Sequence, residues 1–311
     1  MSVQMPLTHL PDLALKQLVD AARVFKEFVR NERALDALGG SMFWKSVGEY
    51  EYLVQRTGRR LHYLGRRSAL TEQQLGNFQK ERERLRARCA SLAAAVDVAQ
   101  RMNKAVRIRG VATSVVEVLR QLAVSGLADR TLLLGATAVQ AYAQSAGLAV
   151  DADPQTLFLL IDLPIADASA CAAKIEAAVS KWARLSGASF DATAGLLVTL
   201  EPVEATSSKM KPHRRELEPI APLLAQQLRV LREAPPFEHV LIARTGKMAR
   251  VRAADPVAFE LVARIQCSAS QPIMEEMLRQ SMLVSSWSDQ QCEQANQQLQ
   301  GIEPVPGLAI A

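Results

Sequence analysis

The chain is poor in the residues that build metal and redox centres. Its 311 residues hold four cysteines (Cys89, Cys171, Cys267, Cys292) and four histidines (His9, His62, His213, His239), all widely scattered. There is no C-x-x-C pair and no H-x-x-x-H pair, which argues against a zinc site or a disulfide framework and fits a reducing cytoplasm. No apolar run approaches the ~18 residues that a membrane span needs, and no Lys/Arg-led apolar segment opens the chain. The expectation is a soluble cytoplasmic protein with no membrane partner. G-x-S-x-G, Walker A and G-x-G-x-x-G are also missing, so the hydrolase elbow, the P-loop and the dinucleotide fingerprint are excluded.

What is present is ordinary in bulk and uneven in charge. Hydrophobic residues make up 49% and charged residues 22%, a globular composition with enough length for one large domain or two. Between Arg56 and Arg109 there are fourteen Lys/Arg against four acids. That segment is +10 in a chain of net charge +5, so the remainder is net −5. A basic region on an otherwise acidic protein points to an anionic partner, a nucleotide or a nucleic acid. The stretch "KERERLRARC" (80–89) alternates in sign and reads as a solvated helix face instead. Tyr52 and Tyr63 lie among Arg56, Arg59, Arg60, Arg66 and Arg67, a mixture suited to nucleic-acid contact and equally available to a surface hairpin or loop. Trp44, Trp182 and Trp287 read as core anchors.

The pattern changes along the chain. The first 105 residues are mostly helical in period. One long helix is expected in 10–38, a Gly39-Gly40 break follows, and a second helix is expected from Thr71 to about Asn103, with Thr71 or its rival Ser68 as N-cap. "SVVEVLRQLAVSG" (114–126) is a shorter amphipathic helix. Then come strand-like "RTLLLG" (130–135), helical "ATAVQAYAQSAG" (136–147), strand-like "TLFLLIDLP" (156–164), helical 167–185 and strand-like "AGLLVTLEP" (194–202). This alternation predicts an α/β core. A polar linker (203–219) follows, then a hairpin (237–253) turning at Thr245-Gly246, then helix from Pro256 to about Leu299. The expected organisation is a helical, basic region at 1–112, an α/β core at 113–205, and a hairpin-plus-helical region at 220–300.

One turn in the core has chemical potential. "LLLGATA" (132–138) places a glycine between a strand and a helix whose first residues are small, where backbone N–H groups can meet a phosphate. Tight strand-helix packing uses the same glycine. Gly135, Ala136 and Thr137 are the candidate nucleotide contacts. Divalent-metal transfer chemistry would further need carboxylates at i and i+2 of one strand and a third from a neighbour.

Several motifs, in order, resemble an uncharacterised bacterial nucleotidyltransferase-fold family of the DNA polymerase β-like superfamily. "GGSMFWKSVGEYEYL" resembles its G-x-Y-W-K…G-x-x-Y-L start, and "LGRRSALTE" (64–72) its S-L-G-x-R-S-x-x-T-E. "LRQLAVSGLADRTLLLGATAVQAYAQSAG" is similar to its L-x-x-L-x-x-x-G-L…V-G-T-x-A-L-x-A-Y-E-x-x-A-G, and "APPFEHVLIARTGKMARVRAADPVAFEL" (234–261) to its A-P-x-F-E…G…D-P-x-x-F-A-L. The resemblance covers about residues 40–290. It implies a nucleotidyltransferase-like mixed sheet flanked by helices, with helical N- and C-terminal regions, and Mg²⁺ or Mn²⁺ chemistry where the acids are kept.

The departures fall on the acids. The family carries T-x-D-I-D-L-L, whose two Asp hold the metals, and this chain has "TLFLLIDLP". Anchoring on Thr156 puts Phe158 and Leu160 at the Asp positions; anchoring on "IDL" puts Leu160 and Asp162 there. The third family acid, in V-D-L-I-x-P, falls at Thr199, with Glu201 two residues on. The family glycine-threonine pair is Gly135-Ala136. The resemblance therefore implies an impaired or lost metal site on a scaffold that binds a nucleotide, a nucleic acid or a protein. An alternative is an active enzyme with relocated catalytic ligands, Asp162 (the metal ligand, if any) and Glu201, whose carboxylates should then lie within about 5 Å. A second alternative is a basic nucleic-acid-binding protein making anion contacts through Arg59, Arg60, Arg66 and Arg67.

Overall fold

The computed structural model describes residues 7–150, 156–202 and 217–265. The helix expected beyond residue 265 and most of the expected 203–219 linker lie outside the described residues. The chain divides into two compact units: Leu13–Val106, and the segment up to Asp12 together with the chain from Arg107 onward.

The Leu13–Val106 unit holds two long helices and a small sheet. α1 (Asp12–Ala37) buries Ala14, Leu18, Ala21 and Ala22, a stripe at helical spacing. α2 (Ala69–Ala105) buries Leu85, Leu92, Val96, Ala99 and Asn103 on one face. The Gln17 side-chain amide donates to the Asn103 side-chain Oδ1 at 2.9 Å. The N-cap of α2 is Ser68: its hydroxyl accepts from the Thr71 N–H, and the Thr71 hydroxyl accepts from the Ser68 N–H at 2.8 Å. Thr71 thus closes a reciprocal capping box from inside the helix. "KERERLRARC" is a mostly exposed face with a Glu81–Arg84 ion pair at 2.7 Å.

The helical expectation for this region missed its sheet. Between the helices β2 (Ser41–Val47), β3 (Tyr50–Thr57) and β4 (Arg60–Arg66) form an antiparallel meander. The period-2 pattern of "EYEYLVQRTGRRLHYLG" and its Thr-Gly-Arg-Arg turn carry the strand signal.

The second unit is built on a seven-stranded mixed sheet. Its strands are β5 (Thr131–Leu134), β7 (Leu157–Ile161), β8 (Ala183–Asp191), β9 (Gly195–Pro202), β10 (Glu218–Pro219), β11 (Phe237–Ile242) and β12 (Met248–Ala253). The spatial order is β10-β8-β9-β7-β5-β12-β11. β10/β8 and β12/β5 are parallel, and the other neighbours are antiparallel. The helices are α3 (Thr113–Val124), α4 (Ala136–Ser145), α5 (Ile165–Val179), α6 (Pro222–Glu233) and α7 (Pro256–Ile265). β1 (Leu7–His9) pairs with β6 (Leu148–Val150) beside the main sheet. The fold is therefore mixed α/β. One hydrophobic core joins residues from the expected 113–205 segment and from the expected 220–300 segment, among them Val115, Leu159, Leu228 and Phe259. No helix among the described residues is long and apolar enough to cross a membrane.

β7 explains its own sequence. It lies between β5 and β9, and all five of its residues are buried. A strand covered on both faces reads as a continuous apolar run rather than an alternation. β8 was absent from the sequence reading because the helical period of α5 was carried through to Leu185; the helix stops at Val179 and "ARLSGASFD" is a strand. Gly195 opens β9 with φ +101°, and a Cβ there would come within 2.6 Å of the Ile161 carbonyl oxygen, so only glycine lets β9 begin against the end of β7. The β11–β12 hairpin turns through Thr245-Gly246, with the Ala243 N–H donating to the Lys247 carbonyl at 2.8 Å.

Candidate functional site

The turn between β5 and α4 is held by backbone geometry that needs glycine. Gly135 is the N-cap of α4, with φ 72° and ψ −156°, a combination essentially closed to residues with a Cβ. The helix then packs tightly. Ala138, Ala141 and Ala143 are buried, and the buried Tyr142 hydroxyl donates to the Ala254 carbonyl at 2.5 Å. Burial raises the Tyr142 phenol pKa, and Asp255 adds to the effect, so the group stays a neutral donor. Ala136 supplies no hydroxyl. Thr137 is fully buried, and its Oγ1 has no hydrogen-bond partner among the described residues.

The register of the sheet fixes what faces this turn. Leu134 pairs with Phe158, and Phe158 pairs with Thr199. The residue before Gly135 is therefore in line with the first residue of each acidic motif in the Thr156 register. Leu160, two residues on, points to the same face as Phe158. The Thr156 register thus puts Phe158, Leu160 and Thr199 on one face of the sheet, with Phe158 and Thr199 at the Gly135 end and Leu160 two residues toward the other end. The "IDL" register does not: Leu160 pairs with Leu197, and Asp162 lies beyond the last β7 residue, whose partner is Leu196. Phe158 is 7% exposed and Leu160 1%. Phe158 and Leu160 are buried apolar residues and Thr199 is half-buried; the carboxylates near this end are Glu201, two residues beyond Thr199 and paired with Arg184, and Asp255, just past the end of β12 beside β5.

Asp162 and Glu201 are far apart. The Asp162 N–H donates to the Arg130 carbonyl at 3.0 Å, at the end of β5 opposite Gly135. Its side chain is 65% exposed and paired with Arg232 at 3.1 Å. A Cβ on Gly195 would lie 3.7 Å from the Asp162 Cα, so Asp162 sits beside the start of β9. Glu201 lies near the other end of β9, paired with Arg184 across to β8. The six-residue step from Gly195 to Glu201 spans about 20 Å. The two carboxylates cannot share an ion, and each already has an arginine. Among the described residues no group of three His, Cys, Asp or Glu side chains could hold a metal. The residues at the expected metal positions do not fit Mg²⁺ or Mn²⁺, which take oxygen donors such as carboxylates.

The four arginines of the basic region are also separated. Arg59 lies in the β3–β4 turn and Arg60 opens β4, while Arg66 closes it and Arg67 follows. The length of β4 puts about 20 Å between the two pairs. Arg67 is engaged by Glu51 at 2.6 Å and Glu72 at 2.8 Å, and lies over the Trp44 ring. Its hydrogen bonds to Glu72 and then to Glu51 raise its already high pKa. It is a structural cation that ties the strand region to the start of α2. Arg66 is different. Its guanidinium stacks 4.2 Å from the Tyr50 ring centre and donates to the Tyr52 hydroxyl, and no carboxylate pairs with it among the described residues.

The sequence reading also missed a buried carboxylate held in an ion pair. Glu117 of α3, 8% exposed at its side chain, accepts from Lys247 of the hairpin turn, and Arg120 lies 3.9 Å away. Lys247 also lies 6.0 Å from the Trp182 ring centre. Glu117 stood in an amphipathic helix with nothing in its sequence to mark it as buried; only the docking of the hairpin makes it so. Trp182 packs against the core as expected, whereas Trp44 is half-buried beneath Arg67. Trp287 lies outside the described residues.

Compared with known proteins, the chain matches no family profile, no curated protein and no solved structure.

Proposed function

We propose that the α/β unit is a nucleotidyltransferase-like scaffold that has lost its metal site, and that the protein works by binding an anionic partner, a nucleotide or nucleic acid, rather than by transferring a nucleotide. One observation carries this reading. Phe158, Leu160 and Thr199, the positions at which the resemblance puts three acids in the Thr156 register, share a face of adjacent strands, with Phe158 and Thr199 at the Gly135 end, and none is an acid. A family register that fell on the wrong strands or faces would not converge in this way. Replacing clustered acids by apolar residues removes mutual repulsion and desolvation cost once no metal is held. No catalytic step is placed on Phe158, Leu160 or Thr199, because none of the three offers a carboxylate to a metal.

The relocated-ligand alternative is disfavoured by the separation of Asp162 and Glu201 and by their arginine partners. The test is a nucleotide-transfer assay on the full chain with each of the four nucleoside triphosphates and Mg²⁺ or Mn²⁺, run beside thermal-shift titrations with the same ligands. The expected result is no transfer in any condition. Metal-dependent transfer would overturn the reading, and its loss in Asp162→Ala or Glu201→Ala would establish relocated ligands.

A further inference from the structure

We infer that the outer face of the β2–β4 meander is a stacking platform for single-stranded nucleic acid. This deepens the nucleic-acid side of the function proposed above by naming its surface, and it lies in the Leu13–Val106 unit.

The pairing of the strands defines the face. Directly opposed residues project to the same side of an antiparallel sheet. The rows are Ser41–Arg56–Leu61, Phe43–Val54–Tyr63, Lys45–Tyr52–Arg66 and Val47–Tyr50. One side therefore gathers four aromatic rings and three cations, Lys45, Arg56 and Arg66, with no carboxylate. The acid within the strands, Glu51, alternates to the other side and is taken by Arg67. The opposite side carries Trp44 and the fully buried Leu53; on the proposed face Val54, between Phe43 and Tyr63, is likewise fully buried, and the rings around it are the exposed groups.

Exposure and charge point to one class of partner. Tyr50 is 50% exposed, Tyr63 52% and Phe43 37%. Large rings left in water on a folded surface mark an interaction site when they are contiguous. Tyr52 and Tyr63 meet edge to face at 6.1 Å. Arg66 stacks on Tyr50 and Tyr52, and the Lys45 ammonium donates to the Tyr63 hydroxyl at 2.9 Å. Lys45 and Arg66 are thus held among the rings and have no carboxylate partner among the described residues. A polyanion whose repeating unit also carries a flat π-face satisfies both features at once: phosphates meet the cations and bases lie on the rings. The bases of a duplex are already stacked on one another, so the rings would gain nothing from it. In sheet-based single-strand binders two or three bases stack on such rings. The cations Arg59 and Arg60 stand at the hairpin tip, where they extend the positive potential without stacking.

The experiment is fluorescence anisotropy of the full chain with a labelled oligothymidylate, a labelled oligouridylate and a labelled duplex of matched length. The single strands are expected to bind more tightly than the duplex. Tyr50→Ala and Tyr63→Ala should each weaken single-strand binding by about 5- to 150-fold, the range for loss of one base-aromatic stack, and Tyr63→Phe should retain it. Arg66→Ala should lower the magnitude of the log-log salt slope by about 0.7. Circular dichroism melts establish that each variant is folded; where a tyrosine variant is not, Lys45→Ala and Arg66→Ala carry the test through the salt slope. Failure of the wild type to bind any single strand would overturn the inference. So would unchanged affinity in a folded Tyr50→Ala/Tyr63→Ala double variant, equal affinity for the duplex, or equal displacement by polyglutamate, which would make the partner an acidic polypeptide. Nucleotide transfer by the same preparation would sink the lost-metal-site reading and leave these binding results standing.

Discussion

Leu160→Asp tests the claim that the metal corner has become ordinary core. Leu160 is 1% exposed, with Leu132 and Leu197 as its cross-strand partners. Full burial without a partner raises a carboxyl pKa by up to about 3–5 units. At 1.36 kcal/mol per unit this is about 4–7 kcal/mol at neutral pH. Loss of the leucine's buried surface adds about 1.5–3 kcal/mol. Together they approach the whole stability of a typical domain, about 5–15 kcal/mol. The sign has a pH signature. The folded pKa lies above the unfolded value of about 3.9, so the ionisation cost is absent below about pH 4, grows as pH rises toward the folded pKa, and is constant above it. Urea midpoints of wild type and variant, compared at about pH 4 and about pH 8, read out the difference. A variant within about 1 kcal/mol of wild type at neutral pH would mean that the corner is wet and the reasoning wrong. With Phe158→Asp and Thr199→Asp added, Mn²⁺ at a hundredfold over its Kd should return about 2.7 kcal/mol. Indifference of that triple variant to Mn²⁺ would refute the claim that the three positions face one point.

Gly135→Ala should cost about 1–3 kcal/mol, because the turn holds a backbone conformation that disfavours a Cβ; an unchanged denaturation midpoint would contradict this. Lys247→Ala should destabilise by about 1.5–3 kcal/mol by stranding the buried Glu117 carboxylate, checked by urea titration, with a smaller loss expected for the Lys247→Ala/Glu117→Leu pair. The Asp191 carboxylate accepts from the Thr193 hydroxyl and from the Thr193 and Ala194 N–H groups, which hold its pKa below the usual aspartate range. Its contribution is therefore present above the unfolded pKa of about 3.9 and is lost as pH falls through the depressed folded value. The stability gap between wild type and Asp191→Asn should accordingly close on acidification. Asp162→Ala removes only an exposed ion pair and should change stability by less than about 1 kcal/mol, as measured by thermal unfolding.

Much of the architecture was legible because burial writes itself into sequence in a local code. The five apolar residues before Asp162 announced a strand covered on both faces, and β7 is that strand. The helical stripes of α1, α3 and α4 and the Thr245-Gly246 turn were equally local signals. Local signals failed where two periods competed. Alanine-rich α5 carried its helical pattern into β8, and the long flanking helices drew attention from a meander whose alternation and Thr-Gly-Arg-Arg turn were in plain view.

The sequence by itself determined which residues this protein has to work with: a basic segment, a glycine turn, and at most one acid, Asp162, at the positions where the resemblance expects acids. It could not choose between the two registers of "TLFLLIDLP", since a shift of two residues keeps every side chain on its own face. Strand pairing shows where these residues lie: Phe158 stands between Leu134 and Thr199, and Asp162 is at the far end with Arg232. Tertiary structure likewise sorted cations that look alike in sequence. Arg67 is consumed by two acids, while Arg66, its neighbour, is left among tyrosines on a face with no carboxylate. Which groups face one another depends on residues brought together from distant parts of the chain, and a local pattern carries no record of them.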